Sequence, residues 1–341
     1  METALALAGY AAVLAVLGPR WLATARWADR APRLAIAAWQ AVCASVVLAV
    51  VLAGLALTVS SIEIGGRMFC AVRCAPGYAT PGGTTAALLG GGLALAVAAR
   101  LAACLTATLY RTARQRHHQL DAIALLAHRA PTPDGAAHLS PTGPAPDAAA
   151  RLSRAGPGLD AVLVDHPTPV AYCLPGRGRR VVLSTAALAV LDDARLAAVL
   201  AHERAHLRHR HDLVIAVATA FGRAFPYVPV LRQARAHVVR LVELAADDAA
   251  GRTADRLTVA DAILSLAHRP APAPALAAAA TAAGQRVRRL LAPHRPLPRL
   301  QAVFGAAAVA AVLLAPAAVA TEPGIAAAAT CAQTCVMEHR S

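Results

Sequence analysis

Four stretches of this chain are too apolar, too long and too poor in charge to leave many folds open. They run near Ala4–Gly18, Leu34–Val59, Ala86–Leu109 and Ala302–Ala320, interrupted by little more than Gln40 in the second and Arg100 in the third. A bilayer core needs about 20 apolar residues of helix to cross it, and backbone in hydrocarbon must satisfy its own hydrogen bonds. The pattern predicts a mainly α integral membrane protein with four transmembrane helices, at about 3–22, 34–59, 86–109 and 300–321. Residues 1–110 then hold three spans, 111–299 one soluble domain, and 322–341 a short tail. The first run is read as an uncleaved anchor, because Arg20, Arg26, Arg30 and Arg33 follow its apolar core rather than precede it.

Arginine placement orients the spans. The first loop carries those four arginines. The region after the third span opens with Arg111, Arg114 and Arg116 and closes with Arg286, Arg288, Arg289, Arg295 and Arg299. The second loop and the tail are poorer in arginine. Basic loops stay in the cytoplasm. Both termini are therefore expected outside the plasma membrane of a multi-pass protein, with the 111–299 domain cytoplasmic. Arg100 is expected to snorkel to the cytoplasmic surface, an intramembrane partner being the alternative. Cys70, Cys74, Cys331 and Cys335 then share the oxidising side in two C-x3-C pairs, candidates for disulfides within or between the pairs, with zinc binding a weaker reading.

The net charge of +14 does not argue for nucleic acid. All 33 basic residues are arginine and alanine dominates the apolar positions, a coding bias expected of a GC-rich bacterium. Aromatics are 4%, too few for a stacking surface, and much of the arginine flanks apolar runs. The bilayer, rather than nucleic acid, is the expected partner.

Within 111–299, "APTPDGAAHLSPTGPAPDAAA" and "HRPAPAPALAAAA" read as linkers. "AVLVD", "VAYCLPG" and "RRVVLS" read as short strands, and helices follow at Thr185–Leu191, Asp193 to about His211, an apolar segment from Leu213, and about Val230–Ala250. This is an α+β arrangement.

The chemistry lies in "LAAVLAHERAHLRHRHDL", residues 196–213. "HERAH" is H-E-x-x-H: His202 and His206 project from one helix face and can share one zinc ion, with Glu203 adjacent to act on water. His209 is seven residues from His202, ~10.5 Å along a helix, too far to share that ion. His209 and His211 read as a basic helix end that suits the dipole, a supporting role for His211 being the alternative. Asp212 stands where a metzincin would need His. The better third ligand is Glu243 in "LVELAADDAA", with Asp247 four residues on to orient a ligand imidazole. Taken alone, "ELAAD" would be a solvated acidic face.

"AAVLAHERAHLRHRHD" followed by "ELAADDAA" resembles the gluzincin membrane peptidases, and the E-x-x-x-D after the motif, with three spans before the domain and one after, resembles the BlaR/MecR antirepressor family. The resemblance implies a cytosolic zincin-type peptidase domain inserted between the third and fourth spans. It implies one Zn2+ held by His202, His206 and Glu243, with Glu203 as catalytic base. "VAYCLPGRGRRVVLSTAAL" is similar to the family's segment before the motif helix, so Ala171, Tyr172 and Cys173 are expected to line an extended substrate. Tyr227, His237 and Arg240 are nearby candidates for stabilising the oxyanion. The implied activity is zinc endopeptidase cleavage on the cytoplasmic side, in regulated proteolysis of a winged-helix repressor. The sequence departs from the antibiotic sensors after the last span, where only 322–341 stand in place of a penicillin-binding domain, so β-lactam sensing is not expected. Rival readings are an HtpX-like quality-control protease, a non-catalytic membrane transducer, and a membrane-tethered nucleic-acid binder resting on charge alone.

Overall fold

The structure, a computed structural model, describes residues 1–59, 83–127, 146–155, 160–175, 180–267, 273–293 and 295–338. The first expected linker lies largely outside the described residues; of the second, residues 273–280 are helical rather than linker and the rest lies outside. So do Cys70 and Cys74, and the side chains of Cys331 and Cys335. The chain divides into two compact units: residues 1–108, 217–237 and 297–341 form the first, residues 109–216 and 238–296 the second.

The first unit contains α1 (Glu2–Ala23), α2 (Pro32–Val59), the first part of α3 (Gly83–Ala127) and α11 (Arg299–Glu338). All four are long and apolar enough to cross a membrane. Two run further than expected. α3 extends 45 residues and α11 40, so the 322–341 segment is largely a continuation of the last helix. On α3 the residues beyond 109 include the expected arginines, but no helix breaker intervenes.

The polar groups around Pro316 find partners. Pro316 lacks the N–H that would bond the Val312 carbonyl four residues back. That carbonyl accepts instead from Tyr10 Oη at 2.8 Å on α1 and from Ser45 Oγ at 2.6 Å on α2. Ser45 is fully buried, so the pairing also removes the cost of burying its hydroxyl. Glycine sets the closest helix contact. A Cβ on Gly54 would stand 2.4 Å from the Gly90 carbonyl oxygen, and one on Gly90 2.7 Å from that of Gly54, so only bare backbone fits where α2 meets α3.

Residues 217–237, expected inside one soluble 111–299 domain, group with these helices instead. They comprise most of α7 (His211–Ala224) and the start of α8 (Pro229–Ala250). Val230 and Leu231 are buried, the Val230 carbonyl faces Cys43 Sγ, and the His237 ring stacks on Trp39 at 4.5 Å. The reason is composition: the segment "VIAVATAF" is apolar on all sides. Arg100 does not need to snorkel. Its Nε donates to the carbonyl of Ala224, one of the orphan acceptors at the end of α7.

The second unit opens with α4 (Pro146–Ala155), then β1 (Asp160–Val164), β2 (Ala171–Leu174) and β3 (Arg180–Ser184). The strand order is β1-β3-β2, with β1 parallel and β2 antiparallel to β3. β2 is thus an edge. α5 (Thr185–Val190), capped by Ser184, leads to α6 (Asp193–Arg208), capped by Asp192, whose Oδ1 accepts from the Arg195 N–H at 2.8 Å. α9 (Arg256–Ala267) and α10 (Ala273–Leu291) complete it. Its core is built by Val181, Leu183, Leu196, Leu200 and Leu207, with Val259 and Leu290 closing over them.

Candidate metal centre and active site

α6 brings His202 and His206 to one face, as four-residue spacing requires, and α8 brings Glu243 opposite. The Nε2 atoms of the two histidines are 3.1 Å apart. Glu243 Oε2 is 3.5 Å from His202 Nε2, and its Oε1 is 3.7 Å from His206 Nε2. A tetrahedral ion with ~2.0–2.2 Å bonds places its ligand atoms ~3.3–3.5 Å apart. The separations lie near that spacing, with Glu243 facing the two imidazoles through different oxygens, so the residues could hold a metal ion; His202 and His206 are mostly shielded from solvent and Glu243 partly so.

Asp247, completely buried, lies one turn beyond Glu243, and its Oδ1 is 3.0 Å from His202 Nδ1, close though not aligned along the N–H. The proton is thereby directed to Nδ1 and Nε2 is left to face the centre. Two further residues join the site: Arg286, which sequence reasoning left out, and His211, for which a supporting role was the alternative. Arg286, on α10, holds Asp247 through two bonds of 2.8 and 2.6 Å and reaches Glu243 Oε2 at 3.0 Å. Sequence reasoning grouped it with the membrane-flanking arginines. A signal was present, since Arg286 adjoins Val287, which with Leu290 is buried, so its own position borders the core.

His211 is the second correction. Expected at the solvated end of a helix with His209, it is buried, with only 4% of its surface exposed. The helix does not continue through it. α6 ends at Arg208, and Arg210 adopts φ 51°, the left-handed conformation that breaks the helix before α7 begins at His211. On an unbroken helix, residues five apart point ~140° away from each other. The break instead sets His211 Nδ1 3.1 Å from His206 Nδ1. If His206 turns the lone pair of Nε2 to the centre, its Nδ1–H donates to His211, which acts for His206 as Asp247 does for His202.

Glu203 points toward β2, where the thiol and backbone of Cys173 hydrogen-bond to its carboxylate. Burial pushes the Glu203 carboxyl above its ordinary range, with charged His202 pulling the other way. Burial also pushes the Cys173 thiol up to about 12, and the Glu203 charge adds to it, so the sulfur stays protonated. Ala171 and Tyr172 lie with Cys173 on the edge strand β2. Of the three oxyanion candidates, Tyr227 is 93% exposed and the His237 ring stacks on Trp39.

Without metal the charges are distributed unevenly. Burial works against a charge on His202, but hydrogen bonds to Asp247 and Glu243 outweigh it and lift its pKa to about 9. Burial and then repulsion from His202 press His206 down to about 4. Burial would raise Glu243 and Asp247, yet their bonds to His202 and Arg286 hold both near about 2. One histidine cation and one arginine thus balance the carboxylates.

A half-buried cluster of two histidines and a carboxylate could hold a metal ion beside an adjacent glutamate, and comparison with known families points the same way. Residues 145–304 match the model of Peptidase family M48. No curated protein and no solved structure matches the chain. The M48 match runs from the start of α4 into α11 and takes in His202, Glu203, His206, Glu243, Asp247 and Arg286. The match supports a zincin-type metallopeptidase domain, and the same chain carries four helices compatible with membrane embedding.

Proposed function

We propose that this protein is a membrane-embedded zinc endopeptidase that cleaves a protein substrate on the cytoplasmic side of the cell membrane, with both termini outside. The observation that carries the reading is the His202–His206–Glu243 cluster with Glu203 beside it, inside the M48 match. Zinc, when bound, supplies a Lewis acid for the scissile carbonyl and for the attacking water. Glu203 takes the proton of that water and later delivers it to the leaving amine, a role helped by a carboxyl already raised by burial. Asp247 and His211 hold the ligand imidazoles in register, and Arg286 keeps the acidic pair ionised. β2, an edge strand among the described residues, can accept an extended substrate as an added strand at Ala171, Tyr172 and Cys173, beside Glu203.

The resemblance to the antirepressor family gives the biological reading: regulated proteolysis in signal transduction, with a winged-helix repressor as substrate. The deciding experiment compares cellular protein fragments between wild type and Glu203→Gln. One or a few lost cleavages support regulated proteolysis, and a broad loss supports quality control. Glu203→Gln is expected to keep its metal and to lose cleavage by ~10²–10⁴-fold. Cleavage at the wild-type rate would favour a non-catalytic transducer.

A further inference from the structure

Within the first unit, α1, α2, the 24–31 connector and α11 enclose a cleft of about 420 Å³. Its walls are apolar: Leu14 on α1, Ala38 and Val42 on α2, Ala308 and Val312 on α11. Gln301 and the indole N–H groups of Trp21 and Trp27 are the polar groups along its lining. Both tryptophans and Gln301 belong to the arginine-bearing ends of the helices, so the cleft has a polar mouth and an apolar interior.

The helix ends at this level are rich in arginine. Arg20 precedes Trp21, Arg26 precedes Trp27, Arg33 precedes Leu34, and Arg299 lies two residues from Leu297 and Gln301, with Arg30 close in sequence; all five are exposed. Asp29 is the one acid in 19–34 and 295–301. Tryptophan and arginine at one level are the residues that sit at lipid headgroups.

Size decides among apolar occupants. From Gln301 to Val312 the wall runs ~16 Å, at 1.5 Å per residue, so 420 Å³ leaves a mean section of about 25 Å². A helix ~10 Å across needs about 80 Å². So narrow a section suits a single polymethylene chain better than a second helix. We propose that this cleft is a specific site for an anionic phospholipid, one acyl chain lying between α1, α2 and α11 and the headgroup held by the arginine collar. The inference rests on the reading of these helices as membrane spans.

The test uses the full chain reconstituted in vesicles of phosphatidylcholine and phosphatidylglycerol in equal parts. Flotation with the vesicles is measured first. The protein is then released in mild detergent, and lipid retained per chain is read by native mass spectrometry. Expected are retention of phosphatidylglycerol well above phosphatidylcholine, a loss of about tenfold or more in Ala308→Trp, whose indole fills the cleft, and loss of headgroup preference in the double variant Arg26→Gln/Arg30→Gln. Wild-type retention of the two lipids in bath proportion overturns the proposal without relying on any variant. Equal retention by wild type and Ala308→Trp, or retention of free fatty acid alone, also overturns it. Failure to float overturns both this site and the membrane reading, whereas flotation without retention overturns the site only.

Discussion

The charge on His202 makes metal uptake a proton-releasing reaction, and the pH dependence follows from the geometry. In the metal-free protein His202 carries a proton held by Asp247 and Glu243, with a pKa of about 9. Coordination through Nε2 requires that this proton leave, while Nδ1–H stays directed at Asp247. His206, at about 4, and Glu243, at about 2, are already deprotonated and release nothing above pH 5. Apparent metal affinity should therefore rise about tenfold per pH unit from about 5 to about 9, and level off above. At pH 7 the proton weakens binding by about 100-fold, or about 2.7 kcal/mol. Competition with a chromophoric chelator across that range measures the slope. Calorimetry in two buffers of different ionisation enthalpy counts the proton, with close to one expected at pH 7. An affinity flat from pH 7 to 9 would refute the reasoning, because it would mean that His202 titrates near the ordinary value of ~6.5. Asp247→Asn should shift the plateau to lower pH, since it removes the bond that most raises His202, and should weaken binding by ~10–100-fold through loss of orientation.

Other expectations can be checked on the same protein. His211→Ala should cost ~10–100-fold in metal affinity by freeing the His206 ring, read by the same chelator competition, whereas His209→Ala should leave affinity unchanged. Gly54→Ala should lower thermal stability in detergent by ~1–3 kcal/mol, because its methyl meets the Gly90 carbonyl. Tyr10→Phe or Ser45→Ala alone should be mild, while the pair together should cost ~1–3 kcal/mol, since either hydroxyl alone satisfies Val312.

What could be read from the sequence was what depends on spacing along one element. Four-residue separation aligned His202 with His206 and Glu243 with Asp247, and alternation with turn residues marked three short strands. Contacts made by a change of direction or by a distant element could not be read that way. His211 reaches His206 only because Arg210 takes a left-handed conformation, and "RHRHD" contains no glycine to announce it. Arg286 meets Asp247 across 39 residues, part of which lie in an alanine- and proline-rich stretch without a periodic signal. The grouping of residues 217–237 with the apolar helices was not legible for a related reason: the apolar segment Leu213–Phe221 is too short to span a bilayer yet apolar enough to pack with helices long enough to do so, and length alone does not separate those cases.

The Val312 carbonyl has a consequence for how the chain is made. Its acceptor needs are met by α1 and α2, but it lies on α11, which leaves the ribosome after both. Until α11 is made, Tyr10 and Ser45 have only each other, and α11 by itself has a gap in its own ladder at Pro316. Closure of this helix group is thus tied to the synthesis of α11.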